Sequence, residues 1–219
     1  MRRINHIAII IPARNEEKTI ASVISGAKKY GRVIVVDDGS ADSTAAEAQK
    51  TGAIVLHHIV NLGKGCALKT GCDYAIHEGA QKLVVIDADA QHNPKQIPEF
   101  LNALQNADIV FGYRTLADDM PYILRFGNKF ISRMTALLYN ISLHDTQCGY
   151  RSFTAEAYKK VRWQAHDYSV ESEMVSNAGR KRLRCAEIAI PTVYHNKYKG
   201  TTVLDGIKIV LKMLWWRVS

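Results

Sequence analysis

The stretch Leu83-Val84-Val85-Ile86-Asp87-Ala88-Asp89-Ala90-Gln91-His92 decides how this chain folds. Its first four residues are apolar, mostly β-branched and without polar alternation, which predicts a strand buried on both faces. Asp87 and Asp89 follow directly where this strand must end. In open α/β sheets ligands bind at the carboxyl ends of the strands, and paired carboxylates suit a hard cation. The stretch therefore predicts a cation site, although an acidic turn before a helix starting at Pro94 would explain the same residues.

Composition limits the possible classes of protein. The chain has 219 residues, of which 47% are hydrophobic, and it contains no linker-like or repetitive stretch, so we expect one domain. The formal net charge of +8 indicates anionic partners, such as a nucleotide, a nucleic acid or an anionic lipid. The amino terminus runs straight into a strand without a signal-peptide pattern, which favours a cytoplasmic protein. The four cysteines lack the paired spacing of a zinc site, so we expect reduced thiols.

Strands and helices alternate strictly through the first half. Buried apolar runs predict strands at 7–11, 33–36, 53–56, 83–86 and 108–111. Helical spacing of apolar residues predicts helices at 16–29, 42–50, 64–77 and 94–104. This alternation predicts an α/β fold with a mainly parallel sheet and helices on both faces.

The loops after the first three strands carry polar residues suited to a nucleotide. These loops read Pro12-Ala13-Arg14-Asn15-Glu16-Glu17, Asp37-Asp38-Gly39-Ser40-Ala41-Asp42 and Asn61-Leu62-Gly63-Lys64-Gly65. Carboxylates in the second loop suit the N–H and hydroxyl donors of a nucleoside. In the third, the glycines permit close approach of a ligand and Lys64 supplies a positive charge near a helix start. Helix capping would also explain the acidic pair at Glu16 and Glu17.

Two familiar kinds of nucleotide site do not fit these loops. The first loop has no glycine, whereas a dinucleotide-binding fingerprint requires GxGxxG there. The third loop is too short for a P-loop and lacks the Ser/Thr after its lysine. An acidic cluster can hold a phosphate-rich ligand only through a cation such as Mg²⁺ or Mn²⁺. The loops therefore predict a nucleoside diphosphate site.

Five motifs together resemble the family 2 glycosyltransferases of GT-A fold, most closely the dolichyl-phosphate mannose and glucose synthases. The motifs are Ile11-Pro12-Ala13-Arg14-Asn15-Glu16, Val35-Val36-Asp37-Asp38-Gly39-Ser40, Asn61-x-Gly63-Lys64-Gly65, Asp87-Ala88-Asp89-x-Gln91-His92 and Asp145-x-Gln147-Cys148-Gly149-Tyr150-Arg151. Their order along the chain makes the resemblance far more specific than any single motif.

The resemblance implies a role for each matching residue. The nucleotide-sugar would contact Pro12, Ala13, Asn15, Glu16, Asp37, Asp38, Ser40, Lys64, Asp87, Ala88 and Asp89. A Mg²⁺ or Mn²⁺ ion on the diphosphate would be held by Asp87, Asp89 and Gln91. The resemblance further implies inversion at the anomeric carbon by direct displacement, with the cation stabilising the departing diphosphate.

The second half is expected to bind the acceptor. A helix predicted over 122–141 carries a basic ridge at Arg125, Lys129 and Arg133, which could equally be a solvated face. By the resemblance, an acceptor phosphate would be held by Arg114, Arg125 and Arg151. A phosphate monoester is already ionised near neutral pH and needs no general base, whereas a hydroxyl acceptor does. The expected catalytic residues are Asp89, Arg114 and Asp145, with Asp145 or Glu173 as the base for a hydroxyl acceptor.

The carboxyl-terminal part departs from the family. The polyprenyl-phosphate transferases often carry an arginine-rich segment followed by Gly-x-Ser-Lys, whereas this chain has His195-Asn196-Lys197-Tyr198-Lys199-Gly200-Thr201-Thr202. The basic character and the glycine remain but the serine and lysine do not, which leaves the acceptor contacts and a lid role for 195–202 open. A basic amphipathic helix from Leu204 to Val218 ends near two tryptophans and would suit either the core or a membrane interface. It is too short and too charged for a membrane span.

We therefore expect one domain over 1–219, with a nucleotide-sugar-binding half to about 112, an acceptor half to about 202 and the amphipathic helix beyond. The expected function is metal-dependent transfer of a sugar from a UDP- or GDP-linked donor to a polyprenyl phosphate, at the cytosolic face of a membrane. No nucleic-acid partner is expected. Transfer to a carbohydrate hydroxyl and a catalytically silent nucleotide-sugar-binding protein are the alternatives. A nucleotidyltransferase is disfavoured because its glycine-rich basic loop is missing after the first strand.

Overall fold

A computed structural model describes residues 6–115, 122–167, 169–191 and 203–218, with side chains described except at 122–129, 203–207, 209, 217 and 218. The strands are β1 (Ile7–Ala13), β2 (Arg32–Asp38), β3 (Ile54–His58), β4 (Lys82–Val85), β5 (Ile109–Arg114), β6 (Arg151–Thr154) and β7 (Cys185–Ile190). The helices are α1 (Ile20–Ala27), α2 (Thr44–Lys50), α3 (Lys64–His77), α4 (Ile97–Ala103), α5 (Tyr122–Tyr139), α6 (Ala155–Val161), α7 (Val170–Arg180) and α8 (Val203–Val218). A short 3₁₀ turn, Pro94–Gln96, precedes α4.

The seven strands form one sheet in the order β3-β2-β1-β4-β6-β5-β7. β6 runs antiparallel to both of its neighbours, and the other strand pairs are parallel. This confirms the predicted α/β fold with a mainly parallel sheet. β6, α6 and β7 are elements that the sequence analysis did not predict.

The hydrophobic core has two parts, one on each face of the sheet. Side chains alternate along β1, so that Ile9 and Ile11 pack with α1 and α4 while Ala8 and Ile10 pack with α3. Each run of apolar residues in the sequence therefore serves both faces, as expected for a strand covered by helices on both sides.

Several helices begin later than their sequence patterns predict. α1 begins at Ile20, not at Glu16, because residues 14–19 form the loop that meets the second strand's loop. α3 spans the predicted residues 64–77.

The proposed lid residues 195–202 lie outside the described part of the chain.

The carboxyl-terminal helix α8 packs along α5. Met213 is fully buried, and the backbone oxygen of Met213 accepts a hydrogen bond from Tyr139 Oη at 2.5 Å. Leu211 and Trp215 on the other side of α8 are exposed, as is Leu137 of α5. One side of α8 thus belongs to the core and the other is an exposed apolar surface. None of the helices in the described part of the chain combines the length and apolar character that a membrane-spanning segment requires.

Candidate active site

The loops predicted to bind a nucleoside lie side by side at the carboxyl edge of the sheet. Pro12 and Ala13 pair in register with Val36 and Asp37, which places the end of β1 beside the end of β2. Ile10 of β1 pairs with Val85 of β4, so the loop that carries Asp87 follows on the other side of β1. The predicted nucleoside, diphosphate and metal residues therefore share one edge.

Asn15 and Ser40 tie two of these loops to each other. The Asn15 backbone N–H donates to Ser40 Oγ at 2.9 Å, and the Ala41 N–H donates to Asn15 Oδ1 at 2.9 Å. Asn15 adopts a φ of 55°, a left-handed conformation that asparagine tolerates better than most residues. The Glu16 N–H also donates to Thr44 Oγ1 at 2.8 Å. These hydrogen bonds connect the loop after β1 to the loop after β2.

The neighbouring residues Asp37 and Asp38 have different surroundings. The Asp38 carboxylate accepts hydrogen bonds from the N–H groups of Leu62 and Gly63, both at 2.9 Å, and lies 2.8 Å from His58 Nδ1. Its oxygens therefore hold the third loop, which argues against the direct nucleoside contact predicted for Asp38. Asp37 is buried, and its Oδ1 has no hydrogen-bond partner within the described residues. An unpaired buried acceptor is costly, so Asp37 is the better candidate to meet a ligand donor.

The glycines of the third loop leave space for the backbone of residues 165 and 166. A Cβ on Gly65 would overlap the carbonyl oxygen of Ala165, and one on Gly63 would overlap that of His166. The Gly65 N–H donates to His166 O at 2.8 Å. The close approach predicted for a ligand is therefore made by the backbone of residues 165 and 166, which fixes the start of α3 and hence the position of Lys64.

Lys64 joins two carboxylates at the centre of the edge. Its Nζ lies 2.8 Å from Asp87 Oδ1 and 2.9 Å from Glu171 Oε1. Burial alone would lower the pKa of Lys64, but the two carboxylates raise it, so this side chain stays protonated. Glu171 lies in the first turn of α7, and the sequence analysis gave it no place in the site. Its partnership with Lys64 spans the two halves of the chain and has no signal in local sequence.

The two predicted metal carboxylates differ in their protonation behaviour. Burial would raise the pKa of Asp87, but Lys64 and His92 reverse this effect and lower it. For Asp89, burial raises the pKa and the nearby Asp87 charge raises it further. The Gln91 N–H donates to Asp89 Oδ1 at 3.0 Å, and Ala90 between them has a φ of 60°. Two crowded carboxylates whose mutual repulsion is only partly relieved suit an added cation.

These residues fit a cation that is shared with a ligand. The Asp87 carboxylate packs directly against Gly149, because a Cβ at Gly149 would overlap Asp87 Oδ2. Among the described residues, no group of three or more His, Cys, Asp or Glu side chains is arranged to hold a metal ion. The oxygen donors of Asp87 and Asp89 would thus supply part of a coordination shell, with the rest from diphosphate and water, as is common for Mg²⁺.

Arg114 and Asp145, two of the predicted catalytic residues, lie together at the end of β5. Arg114 Nε donates to Asp145 Oδ2 at 2.6 Å, and Nη2 donates to Oδ1 at 3.2 Å. Asp145 is buried and also accepts from the Gln147 N–H at 2.9 Å. This two-point contact fixes the plane of the guanidinium. A carboxylate engaged in this way is a poor general base, which disfavours that role for Asp145.

Arg151 and Glu173 belong to the frame of the site. Arg151 is 1% exposed and donates to the backbone oxygens of Cys148, Thr146 and Glu171 at 2.8–2.9 Å. This burial argues against the acceptor-phosphate contact predicted for Arg151. The two oxygens of Glu173 accept from the N–H groups of residues 164 and 165, both at 2.8 Å, which argues against its role as a base. Arg125, the third predicted acceptor residue, lies on α5, where its side chain is outside the described set.

Comparison with known proteins identifies the family of this chain. The family described as Glycosyl transferase family 2 matches residues 8–162, which include the loops after β1, β2, β3 and β4 as well as Arg114 and Asp145. The chain belongs to glycosyltransferase family 2. In this glycosyltransferase, Glu16, Asp37 and Asp38, and Asp87 and Asp89 follow the first, second and fourth strands.

Relatives of this glycosyltransferase extend over nearly the whole chain. An uncharacterized protein of Methanocaldococcus jannaschii is 34% identical over 98% of this chain and 93% of its own length. UDP-N-acetylglucosamine--dolichyl-phosphate N-acetylglucosaminyltransferase of Methanococcus voltae is 32% identical over 97% of this chain and 96% of its own. Polyprenol monophosphomannose synthase of Mycolicibacterium smegmatis is 25% identical over 96% and 86%.

A solved structure confirms the GT-A fold. Glucosyl-3-phosphoglycerate synthase from Mycobacterium tuberculosis, in complex with Mn²⁺, UDP and phosphoglyceric acid, superposes with a TM-score of 0.74. It is 23% identical in sequence, and the match covers 96% of this chain and 78% of that one. The glycosyltransferase therefore shares its sheet and helices with this neighbour.

Proposed function

We propose that this glycosyltransferase moves a sugar from a nucleoside-diphosphate sugar to a polyprenyl phosphate at the cytosolic face of a membrane. The observation that carries the proposal is the separation of charge along the sheet edge. The carboxylates Asp87 and Asp89 follow β4, whereas the fixed guanidinium of Arg114 ends β5, with β6 between the two strands. A donor diphosphate with its cation fits the first position, and an anionic acceptor fits the second.

The donor half of the proposal rests on the loops after β1, β2 and β4. Asp37 has the unpaired acceptor for a nucleoside donor, and Pro12 and Ala13 lie beside it. Asp87, Asp89 and Gln91 would hold Mg²⁺ or Mn²⁺, which when bound neutralises the diphosphate as a leaving group. The superposed synthase was solved in complex with Mn²⁺ and UDP, and this supports the same type of ligand here.

The acceptor half rests on Arg114. A planar guanidinium binds phosphate oxygens through paired hydrogen bonds, and Asp145 fixes its plane. A phosphate acceptor needs to be positioned but does not need a base, which agrees with the engagement of Asp145 and Glu173 elsewhere. Two relatives are named for transfer to dolichyl phosphate and to a polyprenol, and this supports the same acceptor class. We expect Arg125 of α5 to assist.

Membrane contact would be made by an exposed apolar surface on α5 and α8. This surface consists of Phe130, Leu137, Leu211, Leu214 and Trp215. Leu137 is 78% exposed and Trp215 is 69% exposed. Exposed Lys208 and Arg133 lie on the same two helices and would favour anionic headgroups. An enzyme acting on a lipid-linked phosphate must reach a bilayer surface, so this surface suits the proposed acceptor.

A donor and acceptor screen with purified protein tests the proposal. The assay combines radiolabelled UDP-N-acetylglucosamine, UDP-glucose or GDP-mannose with a short polyprenyl phosphate and MnCl₂ or MgCl₂, and it counts label extracted into organic solvent. We expect metal-dependent transfer from one donor, and loss of transfer in Arg114→Ala with donor binding retained. The matched control is Arg184→Ala, whose ion pair with Asp108 lies on the surface. Transfer to a soluble sugar hydroxyl but not to polyprenyl phosphate would contradict the proposal.

A further inference from the structure

Glu171 carries a buried oxygen that the fold leaves unsatisfied. Its side chain is almost fully buried, and Oε1 lies 2.9 Å from Lys64 Nζ, but Oε2 has no hydrogen-bond partner within the described residues. Because an unpaired buried carboxylate oxygen is costly, such an atom in an active site is expected to meet a donor on a ligand.

The backbone around Glu171 is held in place from two sides. Arg151 Nη1 donates to Glu171 O at 2.8 Å, and Gln147 Nε2 donates to the hydroxyl of the next residue, Ser172, at 2.8 Å. The position of the carboxylate is therefore set before any ligand arrives. Rigid placement of this kind is typical of a group that selects a ligand.

The strand order shows which part of the donor would reach Glu171. The proposed nucleoside loops follow β2 and β1, on one side of β4, whereas β6 and the proposed acceptor residue Arg114 lie on the other side. For transfer, the sugar of a donor whose diphosphate lies at Asp87 has to face the acceptor, which the proposal places on the β6 and β5 side at Arg114. Lys64 links Asp87 Oδ1 to Glu171 Oε1 through contacts of 2.8 and 2.9 Å. Glu171 O also accepts from Arg151, the first residue of β6, which pairs with Val85 of β4, so Glu171 lies beside the diphosphate position toward β6.

The charge at Glu171 limits the chemistry of its partner. A phosphate group is anionic and would be repelled by the carboxylate. A second cation would be repelled by the Lys64 ammonium that already contacts Glu171. A neutral O–H donor has neither problem, and a carboxylate is a strong acceptor for it.

We infer that Glu171 binds a hydroxyl group of the sugar in the donor and thereby helps to select which sugar is transferred. This inference rests on the proposed function, because it assumes a nucleoside-diphosphate sugar at Asp87. Glu171 would serve in donor recognition. It lies in the second half of the chain, whereas the other proposed donor residues lie in the first half.

The test compares ligands with and without the sugar. Titration calorimetry in MnCl₂ gives the Kd values of UDP, UDP-N-acetylglucosamine, GDP and GDP-mannose for the parent protein and Glu171→Gln. In Glu171→Gln we expect the sugar-linked ligand to bind roughly tenfold more weakly, and the nucleoside diphosphate to change by less than about twofold. Glu173→Gln, two residues along the same helix, is the matched control. It removes the same charge and should change both ligands equally.

Three results would overturn the inference. Equal weakening of both ligands in Glu171→Gln would mean that Glu171 acts only through Lys64. Unchanged Kd values would mean that it meets no ligand. If electron paramagnetic resonance shows that Glu171→Gln binds Mn²⁺ more weakly than the parent protein, Glu171 would belong to the metal site.

A measurement on the parent protein does not depend on the folding of any variant. Among donors deoxygenated at single hydroxyl positions, one should bind roughly tenfold more weakly than the parent donor, and this loss should disappear in Glu171→Gln. Uniform binding of all deoxy donors would contradict the inference. Loss of the proposed function would look different, since donor binding could persist while no label reaches polyprenyl phosphate.

Discussion

Asp37 and Asp38 differ in what their carboxylates do, although they are neighbours in sequence. Asp38 accepts two backbone N–H groups from the third loop and lies beside His58, whereas Asp37 keeps a buried oxygen that has no partner among the described residues. A pair of acidic residues at the end of a strand indicates a site. Successive side chains of a strand point to opposite faces, however, and the loop that packs on each face determines whether a carboxylate is already hydrogen-bonded. The family resemblance therefore predicted both residues as ligand contacts, and the structure gives their carboxylates different hydrogen-bond partners.

The different surroundings of Asp37 and Asp38 predict that matched substitutions will affect different properties, stability for Asp38 and ligand binding for Asp37. Asp38→Asn replaces an acceptor with an amide that cannot satisfy both N–H groups and the imidazole, so we expect a loss of about 2–4 kcal/mol in the free energy of unfolding. Asp37→Asn should leave the unfolding free energy nearly unchanged and weaken nucleoside diphosphate binding. Urea unfolding and calorimetric titration of both variants measure the two effects. The assignment fails if Asp38→Asn unfolds like the parent.

Gly149 gives a prediction about the geometry of Asp87. A methyl group at this position would overlap Asp87 Oδ2, so Gly149→Ala should displace the carboxylate and reduce turnover by roughly tenfold or more, which corresponds to at least about 1.4 kcal/mol. The measurement is the initial rate over a MnCl₂ titration, with a thermal melt alongside. Gly52→Ala serves as a control for destabilisation alone: a Cβ there meets nothing within 4 Å, but alanine is strained at a φ of 79°, so the melting temperature should fall while the rate stays unchanged. Equal rates for Gly149→Ala and the parent would show that Asp87 tolerates displacement.

At the scale of elements, the strands with continuous apolar runs and the long helix α3 could be predicted from sequence. β6 could not, because this interior strand begins with Arg151 and Ser152. The charge of Arg151 is accommodated by carbonyl oxygens from residues 146, 148 and 171, which are distant in sequence or in loops. The Lys64–Glu171 pair escaped prediction for the same reason, since it depends on a contact between the two halves of the chain that only the fold creates.

The two sides of α8 predict separable defects. Met213→Ala removes a buried side chain that packs on α5, so we expect a loss of about 2–5 kcal/mol in stability. Leu211→Ser changes the exposed side, and it should leave the melting temperature nearly unchanged while weakening binding to lipid vesicles. Differential scanning calorimetry and vesicle co-sedimentation measure these effects. Normal vesicle binding by a double variant, Leu211→Ser with Trp215→Ser, would remove α8 from the proposed docking surface.

At the scale of the whole molecule, the excess positive charge and the exposed apolar surface predict how the proposed membrane contact should depend on salt. A net charge of +8 should draw the protein to vesicles rich in phosphatidylglycerol. Raising the salt concentration to about 1 M shortens the screening length to about 3 Å, so binding to anionic vesicles should fall strongly. The portion that persists reports insertion of apolar side chains. Co-sedimentation over a salt series checks this, and salt-independent binding would contradict a role for charge.

The hydrogen bonds between Asn15 and the loop of Ser40 also have a consequence for the energetics of donor capture. Because each loop supplies both a donor and an acceptor to the other, neither can reorganise alone, and little conformational entropy remains to be lost when a nucleoside enters between them. Association should therefore release heat with only a small entropic penalty. The Asn15→Ala protein loses the bond from the Ala41 N–H to Asn15 Oδ1 but keeps the backbone bond to Ser40, so it should bind the same nucleotide with a somewhat larger unfavourable entropy. Calorimetric titration of both proteins measures this difference.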